Sequence, residues 1–260
     1  MECISVNNDH NVKYITFDRD NKRNALNNEM SNDIITAIEE AENEEVKVIV
    51  IQAAQNAKVF SAGYDLSELN TIEDLYKGSI FKLFHKIRDT EIPVIAKVDG
   101  AVYAGALHLL MVCDIVLATN FSSVSMTLNR MGIPLDIENY KYWLDVMGIH
   151  KVKELFFTAL PIDATDAYIA GIFNDVDSLE NINLKLNTII DGILHCSFQG
   201  IANSKMQINK IADSMVIDNK TTAFLEKTKS KIMKSKELIQ NIRNLKYQVI
   251  WYLINLIKVT

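Results

Sequence analysis

Phe60-Ser61-Ala62-Gly63-Tyr64-Asp65-Leu66, with the later run Gly100-Ala101-Val102-Tyr103-Ala104-Gly105-Ala106, decides the reading of this chain. Each run places a turn of small residues straight after a stretch that reads as a buried strand. Before the first, that stretch is Val46 to Gln52, extended through Val59-Phe60; before the second it is Pro93 to Val98. Such turns leave backbone N–H groups outside the strand ladder and aim them into a cleft. The second turn leads directly into the apolar stretch Ala106 to Val112, so the N–H of Gly105 stands at the positive end of a helix dipole. Together with the N–H of Tyr64 it offers two donors to one oxygen that gains negative charge, which is the arrangement of an oxyanion hole suited to an enolate.

The flanking sequence supplies a repeating frame. Val12 to Phe17 alternates as a strand, the polar turn Asp18 to Arg23 leads to Ala25-Leu26, and a helix is predicted from Asn27 to Glu44 before the strand Val46 to Ile51. Downstream the pattern recurs as a helix from about Ile72 to Thr90, the strand Pro93 to Val98, a helix Gly105 to Val112, a strand Asp114 to Ala118 and a short strand at Ser125-Met126. Strand, helix, strand units of this kind build an α/β fold on a parallel sheet. Asp163 reads as an N-cap and Gly171 as the stop of a further helix. From Leu184 onward helical periodicity runs to the end without proline.

Composition places the chain among globular enzymes. Of 260 residues, 48% are hydrophobic and 23% charged, enough for a full core. Cys3, Cys113 and Cys196 are odd in number, widely spaced and without metal-ligand pairing, which predicts reduced thiols, a cytoplasmic location and no metal. Met1 to Asp20 has no cationic start followed by an apolar run, so no signal peptide is expected. The net charge of -6 argues against a nucleic-acid partner. That charge is uneven: residues 205–260 carry 11 Lys and Arg against 4 Asp and Glu.

The two turn motifs and their order resemble the crotonase superfamily, also called the enoyl-CoA hydratase/isomerase family, over roughly residues 1 to 215. The resemblance implies a crotonase-type spiral of repeated β-β-α turns with a C-terminal helical trimerisation domain. The corresponding division is a core with the acyl-thioester site over 1–190 and a helical oligomerisation or lid region over 191–260. It further implies an acyl-CoA or acyl carrier protein thioester as substrate, no separate cofactor, and a homotrimer or hexamer. Tyr64 and Gly105 would bind the thioester oxygen, and Lys22, Arg23 and Ala62 would help hold the nucleotide, with Asp65 completing the first motif.

Departures from the family pattern narrow the chemistry. Hydratases of the family use two glutamates, whose places here hold His108 and Leu128, so simple hydration is not expected. His108 is open to two readings, a base or a structural histidine of an apolar helix. Ser125-Met126-Thr127, Gly132-Ile133-Pro134 and Gly148 to Ala159 are most similar to methylmalonyl-CoA decarboxylase-like members, where a threonine and a tyrosine line the acyl pocket. Thr127 matches the threonine, and Leu135 stands at the tyrosine position. Asp136, four residues after Gly132, matches a carboxylate that serves family isomerases and a dehalogenase.

Three functions therefore stand: decarboxylation of a methylmalonyl-type thioester, isomerisation of an enoyl-CoA with Asp136 as base, and binding of an acyl thioester or partner without catalysis. The apolar stretch Leu245 to Val259 is too short and interrupted for a membrane span, and its spacing fits a helix that caps the acyl pocket or buries against another subunit.

Overall fold

The computed structural model describes residues 3–68, 78–135, 137–214 and 219–244. Its spine is a sheet in the order β1 (Ile4–Asp9), β2 (Val12–Phe17), β3 (Val48–Ala53), β4 (Val94–Val98), β6 (Ile115–Thr119), β9 (Asp175–Asp177). A hairpin joins β1 and β2 in antiparallel register, with Asp9 opposite Val12, and every later pairing in the sheet is parallel. A second, smaller sheet is formed by β5 (Ala101–Tyr103), β7 (Ser123–Ser125) and β8 (Ile162–Asp163).

The strands β3 and β4 are buried on both faces, which is why they read as unbroken apolar runs rather than as alternation. Ile49, Ile51, Val94 and Ala96 face a core closed by α1 (Asn28–Asn43), α2 (Ser79–Asp89) and α3 (Gly105–Val112). Val48, Val50, Ile95 and Leu117 face the other way, onto Ile182, Leu186 and Ile190 of α6 (Leu179–Leu194). Between these layers in sequence lie α4 (Ile137–Thr158), broken at Gly148, and α5 (Ala164–Ile169).

Local signals set the helix ends. The Asn27 side chain accepts from the Met30 N–H to start α1, Asp163 accepts from Asp166 to start α5, and Ser178 accepts from Asn181 to start α6. The expected continuation of β3 through Val59-Phe60 is not a strand; the chain leaves the sheet after Ala53 and returns only where Phe60 N–H donates to Ala101 and Ser61 bridges Val102. In β1 the apolar alternation is short: Ile4 is buried, Val6 is half-buried against the core, and Asn7 to Asp9 carry no apolar residue. The long terminal helix resolves into α6, α7 (Phe198–Asp213), α8 (Asn219–Met233) and a helical stretch over 236–244, with His195 as C-cap and Ser197 as N-cap between α6 and α7.

The sequence after α6 is tied to the body by one buried cation. Lys205 Nζ contacts Asp114 at 2.7 Å and donates to the carbonyls of Ile87 and Ile92. Nearby, Arg88 pairs with Asp213 at 2.6 Å and exchanges backbone and side-chain hydrogen bonds with Asn209. The later stretch 236–244 returns to the first half of the fold, where Leu238 is buried in the main core and Asn241 donates to the Met131 carbonyl. Leu245 to Val259, the tail noted above, lies outside the described residues.

Candidate active site

The first turn is assembled by a small polar network. Arg23 and Asn24 both take left-handed backbone conformations, with φ of 52° and 50°. The buried Asn24 amide donates to the carbonyls of Val59 and Phe60 while its oxygen accepts from the Arg19 N–H. Ser61 lies fully buried between them: its hydroxyl donates to the Asn24 carbonyl at 2.6 Å and accepts from the Gly63 N–H at 3.2 Å. Gly63 is required here, since its φ is +87° and an added Cβ would stand 2.6 Å from the Tyr103 carbonyl.

This turn forms a single parallel bridge to Leu26. The bridge uses the Gly63 carbonyl, which accepts from Leu26, and the Asp65 N–H, which donates to Leu26. The N–H of Tyr64, lying between them, is consequently turned to the opposite side, toward Gly105. Gly105 is the first residue of α3, so its N–H has no intrahelical acceptor. A Cβ built on Gly105 would lie 3.4 Å from the Tyr64 nitrogen, and one built on Gly63 would lie 3.0 Å from the Gly105 nitrogen. The backbone nitrogens of the two residues thus lie side by side.

Ala104, the N-cap of α3, has φ 46° and ψ −113°, a conformation that alanine adopts only under constraint. The constraint is visible: its N–H donates to the Ser125 carbonyl, and its own carbonyl accepts from Leu107. Strain of this kind holds the Gly105 N–H at the lip of the cavity rather than letting α3 begin a turn earlier.

Tyr64 and Gly105 both line a cavity of about 170 Å³. Its walls are Ala62, Tyr64, Leu66, Ile80, Phe81, Phe84, Ala104, Gly105, His108, Met126, Thr127, Leu128, Met131, Ile133 and Leu135. The polar side chains among these are those of Tyr64, His108 and Thr127, with no carboxylate among the described lining residues. Thr127 precedes the 3-10 turn Leu128–Met131, and its hydroxyl does not cap that turn. The turn itself is anchored from outside by Asn129 and Arg130, which donate to the carbonyls of Phe156 and Ala159.

His108 is 6% exposed and packs edge-on against Phe84 at 4.6 Å between ring centroids. Burial, with the charge of His85 as the smaller cause, pulls its pKa down to about 4, so the imidazole is neutral at physiological pH. Its Nδ1 is enclosed without a hydrogen-bond partner.

The structure thus gathers Ala62, Tyr64, Gly105, His108, Thr127 and Leu135 around one cavity. Asp65 does not line it: the carboxylate accepts from Arg19 at 2.8 Å and from the Ser67 hydroxyl at 2.6 Å. Burial opposes its ionisation, but these contacts outweigh burial and leave its pKa lowered. Asp65 therefore fastens the turn. Lys22 sits exposed on the 3-10 turn Asp20–Lys22, away from the cavity lining. Asp136 lies outside the described residues. Phe84 and Met131 were missed as lining residues because nothing in sequence spacing brings α2 and the Leu128–Met131 turn to the same cavity.

The enoyl-CoA hydratase/isomerase family model matches residues 7–242, most of the chain. This protein belongs to the enoyl-CoA hydratase/isomerase family. Among the family's characterised members, methylmalonyl-CoA decarboxylase of Escherichia coli (strain K12) is 32% identical over 191 residues, covering 71% of this chain and 73% of that one. The short-chain-enoyl-CoA hydratase of Clostridium acetobutylicum is 28% identical over 214 residues, covering 81% and 82%. A crystal structure of methylmalonyl-CoA decarboxylase complexed with 2S-carboxypropyl-CoA superposes with a TM-score of 0.90 at 25% identity, over 95% of this chain and 96% of that one. The crotonase fold expected from the two motifs is thereby established. Among the described residues, no helix is long and apolar enough to cross a membrane and no cluster of His, Cys, Asp and Glu could hold a metal ion.

Proposed function

We propose that this protein decarboxylates a short acyl-CoA of the methylmalonyl type, with the thioester oxygen held by the N–H groups of Tyr64 and Gly105. The observation that carries this reading is that Tyr64 and Gly105 stand side by side on an apolar cavity whose described lining contains no carboxylate. Hydration requires groups that activate and protonate water. Decarboxylation requires neither: the electrons of the bond between Cα and the carboxylate move into the thioester, carbon dioxide leaves, and the enolate is stabilised by the two N–H groups. Protonation at Cα then gives the shortened acyl thioester.

An apolar site favours this step, because desolvating the substrate carboxylate raises its energy while the charge that develops on the thioester oxygen meets fixed donors. The cavity is smaller than the roughly 300 Å³ and upward of pockets for drug-sized ligands, in keeping with a short acyl group. Thr127 and Leu135 border the space where the substituents on Cα would lie. The resemblance to the Escherichia coli decarboxylase, and to a neighbour crystallised with a carboxylated acyl-CoA analogue, supports the same substrate class. The carrier is coenzyme A or an acyl carrier protein, no further cofactor takes part, and the chain acts as a homotrimer or hexamer in this reading. Exposed Phe121, Phe157 and Ile169, 84%, 75% and 75% accessible, supply apolar surface for such an assembly.

Incubation with malonyl-CoA and methylmalonyl-CoA, and separately with enoyl-CoA isomers in deuterated water, tests the proposal by mass spectrometry. Loss of carbon dioxide from the first set is expected. A double-bond shift with deuterium uptake and no loss of mass would instead assign an isomerase with Asp136 as base, and inertness toward both sets would leave a binding role.

A further inference from the structure

One nitrogen of a residue lining the cavity, Nδ1 of His108, has no hydrogen-bond partner among the described residues. His108 is 6% exposed, follows Gly105 by three residues on α3, and its ring makes no hydrogen bond with the described residues. An imidazole so deeply buried is normally paired, and leaving it unpaired costs stability unless a ligand supplies the partner. The surrounding surface is of the opposite kind, formed by Phe84, Met126, Leu128 and Ile133.

The proton can be placed on the ring. Nδ1 is completely enclosed, and the indole Nε1 of Trp143, equally enclosed and unpartnered, belongs to a ring 6.3 Å away. An unpaired acceptor is better tolerated inside a protein than an unpaired N–H. With Nδ1 enclosed, this puts the imidazole proton on Nε2, the other ring nitrogen of a residue that lines the cavity. The depressed basicity of the ring keeps it neutral, so it donates without acting as a base.

We propose that His108, through Nε2–H, is the specificity-determining donor that binds a carboxylate carried on the acyl group of the substrate. The assignment rests on the decarboxylase reading for the identity of that carboxylate. A single neutral donor in an apolar wall recognises the anion while leaving it poorly solvated, which suits a group that must leave as uncharged carbon dioxide. The donor also fixes the direction of the bond that breaks relative to the thioester held at Tyr64 and Gly105.

Two matched ligands isolate the contact: 2S-carboxypropyl-CoA and propyl-CoA, which differ by the carboxylate alone and neither of which can react. Titration calorimetry on the full chain is expected to show wild type preferring the carboxylated ligand. His108→Phe should weaken 2S-carboxypropyl-CoA about tenfold or more and leave propyl-CoA unchanged, while His108→Gln, which retains a neutral donor, should stay within about threefold of wild type. Equal weakening of both ligands by His108→Phe, no weakening of either, or a wild type indifferent to the carboxylate would each overturn the proposal. Carbon dioxide release by the wild type is measured alongside. Release with unaltered binding in the variants removes His108 and keeps the decarboxylase, whereas no release with the expected binding pattern keeps His108 as a carboxylate donor and removes the reaction.

Discussion

The backbone nitrogen of Tyr64 lies 3.4 Å from the point where a Cβ on Gly105 would stand, although the two residues are separated by a helix and two strands. An added methyl would make only ordinary van der Waals contacts there, so neither packing nor the helical backbone demands glycine, and the methyl would stand beside the Tyr64 nitrogen.

It follows that Gly105→Ala leaves the fold intact and blocks the site. Alanine favours a helix, and the added methyl meets Ile80 Cδ1 at an ordinary 3.4 Å. Turnover of the accepted thioester is expected to fall by about 100-fold or more, with a melting temperature within a few degrees of wild type. Parallel steady-state kinetics and thermal melts check this, and an active variant would mean that the two N–H groups do not meet the reacting oxygen.

Ser61 tests the other half of the turn. Removing its hydroxyl in Ser61→Ala leaves the Asn24 carbonyl and the Gly63 N–H without their buried partner. A loss of about 1–3 kcal/mol in urea unfolding is expected, with a lower kcat because the Tyr64 N–H is no longer held in place.

Lys205→Met separates stability from chemistry. The substitution leaves Asp114 without its cation and the carbonyls of Ile87 and Ile92 without a donor, far from the cavity. Because Asp114 is 26% exposed and keeps the Val94 N–H, the cost is expected at about 2–3 kcal/mol rather than the full cost of a buried unpaired charge. Denaturant midpoints would register it, while kcat at a temperature well below unfolding should be unchanged.

The acid limb of the stability curve reports on His108. Its pKa is about 4 in the folded chain against 6.5 for the ordinary residue, so between these values the unfolded chain binds the extra proton. Stability therefore falls as pH drops from about 6.5 toward about 4, by a total on the order of 3 kcal/mol. The rings and charges facing His108 are those of Phe84 and His85 on α2 and of Tyr142 and Trp143 on α4. In His108→Phe this part of the pH dependence should flatten, which denaturation at a series of pH values would reveal; an unchanged slope would place the titration elsewhere.

Much of this was legible in one dimension because it depends on neighbours in the chain. Asn27 and Asp163 open the helices that follow them, Gly63 is demanded by a turn of its own, and the apolar runs of β3 and β4 announce strands buried on both faces, whereas the helix read from Leu184 onward begins at Leu179 with Ser178 as its cap. The nearness of Tyr64 and Gly105 was legible too, through the two turn motifs. The edge strand β1 and the irregular return through Val59-Phe60 were not, since neither carries a sustained apolar alternation.

What only the tertiary structure decided is how each candidate side chain is used. Asp65 stands inside a site motif, yet Arg19 and Ser67 take up its carboxylate. His108 lies on an apolar helix, and whether such a ring is a base, a packing element or a neutral donor depends on water and partners contributed by α2 and α4. Sequence determined the backbone geometry of the two turns, because strand, turn and helix signals act over a few residues. The protonation and hydrogen bonding of the side chains around them were decided by the fold, because burial and electrostatics are properties of the assembled neighbourhood.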